Sequence, residues 1–153
     1  MCSSDLRMRA HTFATMIDPN IAPTWMNAAR PLSVLQNSTV APAASASESA
    51  VASGVDFVIV QGTEAGGHTG LVATMPLVPQ VVDAVGDKVP VVAAGGIFDG
   101  RGLAASLALG ADGVWMGSRF IATPEARTVR GYKDALIGAR EDDTVITKGY
   151  SGK

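Results

Sequence analysis

Val89-Pro-Val-Val-Ala-Ala-Gly-Gly96 and, farther on, Gly113-Val-Trp-Met-Gly-Ser118 are the stretches whose reading decides the fold. Each is a short apolar run closed by small turn residues, the pattern of a buried strand with a loop at its carboxyl end. The two tips, Gly95-Gly96 and Gly117-Ser118, lie 22 residues apart, the length of one strand–helix repeat. Between them Arg101 to Leu109 reads as a helix closed by Gly110. Strands without polar alternation fit a parallel sheet covered on both faces. Repeated right-handed units of this kind close into a barrel or spread into an open, doubly wound sheet. The tips separate the two. Successive strands that both end in backbone donors near a helix start match the phosphate site that barrels build from adjacent late loops. A dinucleotide-binding open sheet would gather its glycines into one G-x-G-x-x-G after its first strand, and that motif is absent. The expectation is α/β, part of a (β/α)8 TIM barrel with glycine-rich βα loops.

The same grammar extends upstream. Phe57 to Val60 reads as a strand, and Pro76 to Val85 as a helix with Val78, Val81, Val82 and Val85 on one face. Ser47 to Ser53 is expected to form a short helix entered through Ser45 or Ser47, preceded by a short strand around Val40. Val129 to Ala139 is expected to be the last helix. Residues 1 to 33 hold Pro19, Pro23 and Pro31 and no sustained period, so they stay an unassigned N-terminal segment, with the barrel portion at 34 to 153. A complete barrel takes roughly 250 residues. The sequence therefore reads as four or five of eight units, the C-terminal part of a barrel, whose open strand edges favour pairing with another copy into a homo-oligomer.

Composition narrows the class. Hydrophobic residues make up 47% and charged ones 17%, enough apolar surface for a core and too little charge for a disordered chain. The net charge of −2 comes without a basic stripe, which argues against nucleic acid. No apolar run approaches the roughly 20 residues that span a bilayer, which argues against a membrane partner. Met1 to Phe13 lacks the apolar core of a secretion signal, so a cytoplasmic enzyme is the default. Cys2 is the only cysteine, which removes disulfide scaffolds, zinc ribbons and iron–sulfur clusters, and no metal site is expected.

The chemistry is concentrated in Gln61-Gly-Thr-Glu-Ala-Gly-Gly-His-Thr-Gly70, directly after the Phe57 strand. Four glycines let a backbone approach a ligand closely. His68 places among them a group that accepts or donates a proton near neutral pH. A lone loop histidine is more often an ordinary surface residue, and His11 reads that way. Gly95, Gly96, Gly117 and Ser118 are the candidate phosphate cradle, against the plainer reading that such glycines merely end strands. Glu64 is read as a loop stabiliser that accepts backbone N–H bonds, and Arg119 as a partner for a carboxylate such as Glu125. Trp115 and Met116 are read as core.

Three segments in order, the glycine loop at 61–70, VPVVAAGGIFDG at 89–100 and GVWMGSRFIATPEA at 113–126, closely resemble the nitronate monooxygenase family, formerly the 2-nitropropane dioxygenases. The likeness runs over about residues 34 to 153 and ends on Tyr150-Ser151-Gly152-Lys153. It implies FMN as cofactor and oxidation of alkyl nitronates by O2 to carbonyl compounds and nitrite. It also implies that His68 lies near the reactive face of the flavin and contacts the substrate, as base or as ligand of the nitro group. Gly66 and Gly67 would then let the flavin ring approach the loop, and Gln61 would hydrogen-bond its edge. Flavin-dependent enoyl-acyl-carrier-protein reductases share the same motifs and stay open as an alternative, as does an inactive truncated barrel.

Overall fold

The computed structural model describes the backbone of residues 33–36 and residues 43–67 and 69–147. The chain divides into two compact units, residues 1–116 and 117–153.

The first unit holds β1 (Ser33–Gln36), α1 (Ala43–Ala52), β2 (Val58–Gln61), α2 (Thr74–Val85), β3 (Val91–Ala94), α3 (Gly100–Ala108) and β4 (Gly113–Trp115). The strands form one parallel sheet in the order β1-β2-β3-β4. Val58 pairs with Val91 and Ala94 with Trp115, so the ladder advances one strand at a time. That order agrees with the barrel among the two architectures open to repeated βα units. A doubly wound sheet must reverse direction at a switch point, whereas steady right-handed crossovers place every helix on one face. The described units are therefore consecutive units of a (β/α)8 barrel.

Strand alternation assigns the two faces. Val58, Val60, Val91 and Ala93 belong to the core that takes in Leu77, Val78, Val81 and Val85 of α2. Ile59, Gln61 and Ala94 point to the opposite face and are buried as well. Burial on both sides explains why these strands read as unbroken apolar runs. At the base of the sheet Asp112 binds β3 twice. Its N–H donates to the Val91 carbonyl at 2.8 Å, and its Oδ2 accepts from the Val91 N–H at 2.8 Å. The start of β4 is thereby locked in register with β3.

Helix boundaries follow their capping. Asp99 accepts from the N–H groups of Arg101 at 3.0 Å and Gly102 at 3.2 Å, so α3 begins at Gly100. The Arg101 side chain, followed by the Gly102 N–H, holds the Asp99 carboxyl below the usual carboxylate range. Gly110 leaves α3 with φ +93°, as a helix-ending glycine does. α1 starts at Ala43, four residues before the expected Ser47. Ser47, Ser49 and Ser53 instead turn back onto carbonyls four residues earlier, Ser47 at 2.6 Å from the Ala43 oxygen. Serines can cap helices, but these serve inside the helix and just past its end. The strand expected around Val40 lies outside the described residues, and the first strand observed is Ser33–Gln36.

The second unit contains α4 (Ser118–Ile121), which the sequence reading lacks, and α5 (Arg130–Gly138). Lys133 of α5 donates to the carbonyls of Thr123 at 2.7 Å and Ala126 at 2.6 Å, closing the loop before the helix. A single turn such as α4 is too short to leave a periodic signal.

Leu77 is 1% exposed at the centre of the core. Leu77→Ala is expected to cost about 2–5 kcal/mol, the range for a buried leucine truncated in a packed interior. Urea unfolding followed by far-ultraviolet circular dichroism measures it.

Candidate functional site

The site is built where β2 and β3 end. Gln61 is the last residue of β2, is 7% exposed, and its Nε2 donates to the Gly66 carbonyl at 3.1 Å. The amide expected to meet a flavin edge therefore also folds the glycine loop back onto its own strand. Within that loop the Ala65 N–H donates to the Gly62 carbonyl at 3.1 Å, and the Thr63 N–H to the Val72 carbonyl at 3.0 Å. The loop is thus closed at its base, with Gly66 and Gly67 exposed at its crown. A Cβ placed on either glycine would meet no atom of the described residues within 4 Å, so among them the space beside the loop backbone is open. Gly67 has φ +88°. His68 follows it directly and lies outside the described residues.

β3 leads into two successive glycines with positive φ, Gly95 at +109° and Gly96 at +68°. Residues with side chains rarely take that conformation. Among the described residues neither glycine's N–H donates to a backbone carbonyl. Two adjacent N–H groups without a backbone acceptor among the described residues thus stand at the carboxyl end of a parallel strand. Gly95 is also hemmed in. A Cβ there would lie 2.8 Å from Thr74 Oγ1 and 3.0 Å from the Ala65 nitrogen. Gly96 has more room, with Glu64 Cβ nearest at 3.4 Å.

Glu64 ties the loop to α2. Its carboxylate accepts from the Thr74 N–H, at 2.9 Å to Oε2 and 3.2 Å to Oε1. The residue preceding α2 is Ala73, which offers no side-chain cap. An acid ten residues upstream therefore caps a free N–H at the positive end of the helix. The stabilising role expected for Glu64 is what the structure shows. Thr74 and Gly62 were not singled out by the sequence reading. A side chain on Gly62 would overlap Thr74, which accounts for a glycine there. An alanine in front of a helix, with no local cap, is the signal that a remote acid was needed.

In the second unit Gly117 and Ser118 open the single turn α4, and both are exposed. Gly117 takes φ −99°, so it is not a left-handed tip like Gly95 and Gly96. Arg119 is exposed and makes no ion pair among the described residues, so the expected pairing with Glu125 is absent. Trp115 and Met116 are half-buried and not core, because β4 pairs only with β3 among the described residues. No helix among those residues is long and apolar enough to cross a membrane.

The model of the family described as nitronate monooxygenase matches residues 6–153. The chain belongs to the nitronate monooxygenase family. That match takes in most of the N-terminal segment that periodicity leaves unread. A Mycobacterium tuberculosis protein, Rv1533, which carries a monooxygenase name, is 58% identical over 102 residues, 67% of this chain and 27% of the relative. A Staphylococcus aureus (strain Newman) protein named "Probable nitronate monooxygenase" is 48% identical over 110 residues, 65% of this chain and 30% of the relative. Among solved structures, FabK from Thermotoga maritima superposes with a TM-score of 0.71 at 40% identity, over 84% of this chain and 39% of that one. Nitroalkane oxidase from Streptomyces ansochromogenes superposes with a TM-score of 0.57 at 36% identity, over 68% of this chain and 31% of that one. The chain thus spans about a quarter to two-fifths of the length of these relatives.

The two glycine tips respond differently to a methyl group. Gly95→Ala is expected to destabilise the fold by about 1–3 kcal/mol, through strained backbone and contact with Thr74. Gly66→Ala, with open space around it, is expected to stay within about 0.5 kcal/mol of the parent. Thermal melts of both variants check the contrast.

Proposed function

We propose that this nitronate monooxygenase family barrel binds FMN and oxidises alkyl nitronates with O2, releasing a carbonyl compound and nitrite. The observation that carries the reading is the pair of positive-φ glycines, Gly95 and Gly96, beside the glycine loop that leads to His68. The nest suits one terminal phosphate, the open crown at Gly66 and Gly67 suits a flat ring, and the residues present fit a flavin mononucleotide. FMN, when bound, supplies the redox chemistry. In this proposal the Gly95 and Gly96 N–H groups bind phosphate. Gly117 and Ser118, taken by themselves in the second unit, offer a further N–H and a hydroxyl of the type that binds phosphate. Gln61 holds the loop closed through Gly66 and sits where the ring edge would lie.

His68 is assigned the proton chemistry. A neutral nitroalkane must lose its α-proton to become a nitronate, and imidazole is a side chain chemically suited to accept one. Flavin-dependent enoyl-acyl-carrier-protein reductases, which share the same three motifs, supply a second reading. Bleaching of bound flavin by NAD(P)H alone would favour them, whereas bleaching by a nitronate without NAD(P)H supports the oxidase chemistry.

Three measurements test the reading. Flavin released from the protein is expected to be FMN rather than FAD by mass spectrometry, because one phosphate nest has no place for a second nucleotide, and finding mainly FAD would sink it. Gly96→Val should weaken FMN binding by more than tenfold, roughly 1.4 kcal/mol, since a β-branched residue resists φ +68°. In an FMN-loaded barrel, His68→Asn should slow turnover of neutral nitroalkanes about 10²–10⁴-fold, the worth of a positioned base. Preformed nitronates need no deprotonation and should lose much less. Equal losses on both substrates would leave His68 as a ligand of the nitro group, with no role as a base.

A further inference from the structure

Thr74 is 8% exposed and opens α2. Its Oγ1 sits among three acceptors: Glu64 Oε2 at 3.0 Å, the Gly95 carbonyl at 3.0 Å and the Ala94 carbonyl at 3.3 Å. A hydroxyl has one proton to donate. The Ala94 carbonyl already accepts from the Gly62 N–H at 3.0 Å. Glu64 already accepts from the Thr74 N–H and reaches water, being exposed. The Gly95 carbonyl has no other donor among the described residues. The hydroxyl is therefore needed most at Gly95, where its loss would leave a carbonyl unpaired beneath the loop.

That contact fixes more than one oxygen. The Gly95–Gly96 peptide is trans, so its C=O and N–H point in opposite directions. A carbonyl held on Thr74 turns the Gly96 N–H away from α2, on the far side of the same peptide plane. With positive φ on both sides, glycine alone would let this plane rotate between several orientations.

We propose that Thr74 is a positioning residue for the cofactor phosphate: its hydroxyl locks the Gly95–Gly96 peptide so that the Gly96 N–H is presented to that phosphate. The assignment rests on the FMN reading. It goes beyond that reading by placing the discrimination between phosphorylated and unphosphorylated flavin on a side chain that does not touch the ligand.

The test measures dissociation constants of FMN and riboflavin, by quenching of flavin fluorescence, for the 153-residue chain and its variants. The parent is expected to prefer FMN. Thr74→Val keeps the side-chain shape without the hydroxyl. It should lower FMN affinity about tenfold and riboflavin affinity less than about twofold, so the preference collapses. Thr74→Ser should restore the preference, and Thr74→Ala gives the same reading as valine if valine does not fold. Glu64→Gln, which leaves the hydroxyl in place, should keep it. A preference that persists in Thr74→Val, or that fails to return in Thr74→Ser, overturns the assignment. So does equal loss of both ligands, and so does a collapse in Glu64→Gln as large as in Thr74→Val. A parent chain that binds both flavins equally, or neither, instead defeats the phosphate reading at its root, before any variant is compared.

Discussion

The hydroxyl of Thr74 lies where three separate pieces of chain converge. The glycine loop reaches it through Glu64, the end of β3 through the carbonyls of Ala94 and Gly95, and α2 begins with its residue. Parallel strands are not joined at their carboxyl ends by hairpins, so ties between their loops come from residues distant in sequence. Here one buried hydroxyl and one carboxylate make the tie. The consequences show in neighbouring glycines. Gly62 and Gly95 both lack room for a side chain because Thr74 occupies it. Gly66, farther from the knot, is unconstrained and faces open space. Two kinds of glycine therefore share one loop region, some required by packing and others available to a ligand.

Below the knot, the core of β2, β3 and α2 supplies the rigidity. Val58, Val60, Leu77, Val78, Val81, Val85 and Val91 are all essentially inaccessible to water. A site that must hold N–H donors in place is better built on such strands than on a free loop, because the strand ends inherit the rigidity of the ladder. The reciprocal pairing of Asp112 with Val91 fixes the opposite end of β3. The strand is pinned at its base by a carboxylate and at its tip by a hydroxyl.

Much of this was legible in the residues. The strands announced themselves through apolar runs at Phe57–Val60, Val89–Ala94 and Gly113–Met116, and each lies within one or two residues of its observed bounds. The preference for a barrel rested on glycine tips, and the sequential strand order agrees. The start of α1 was misread because serine is a cap in one context and bonds back to its own helix in another. Local sequence does not say which. Thr74 was missed for a different reason. Its partners lie ten, twenty and twenty-one residues away, and no local period connects them. Glu64 was recognised as structural from its loop, but its partner became visible only once α2 was seen to begin at an uncapped alanine.

The central claim is that the strand tip at Gly95 and Gly96 binds the phosphate of a flavin. Amide resonances of a nitrogen-15-labelled chain report on that contact atom by atom. On titration with FMN, the Gly95 and Gly96 N–H signals should move downfield as the donors engage an anion, and with riboflavin they should stay close to their starting positions. If FMN shifts resonances elsewhere in the chain and leaves those two unmoved, the phosphate is held by other groups and the account is wrong.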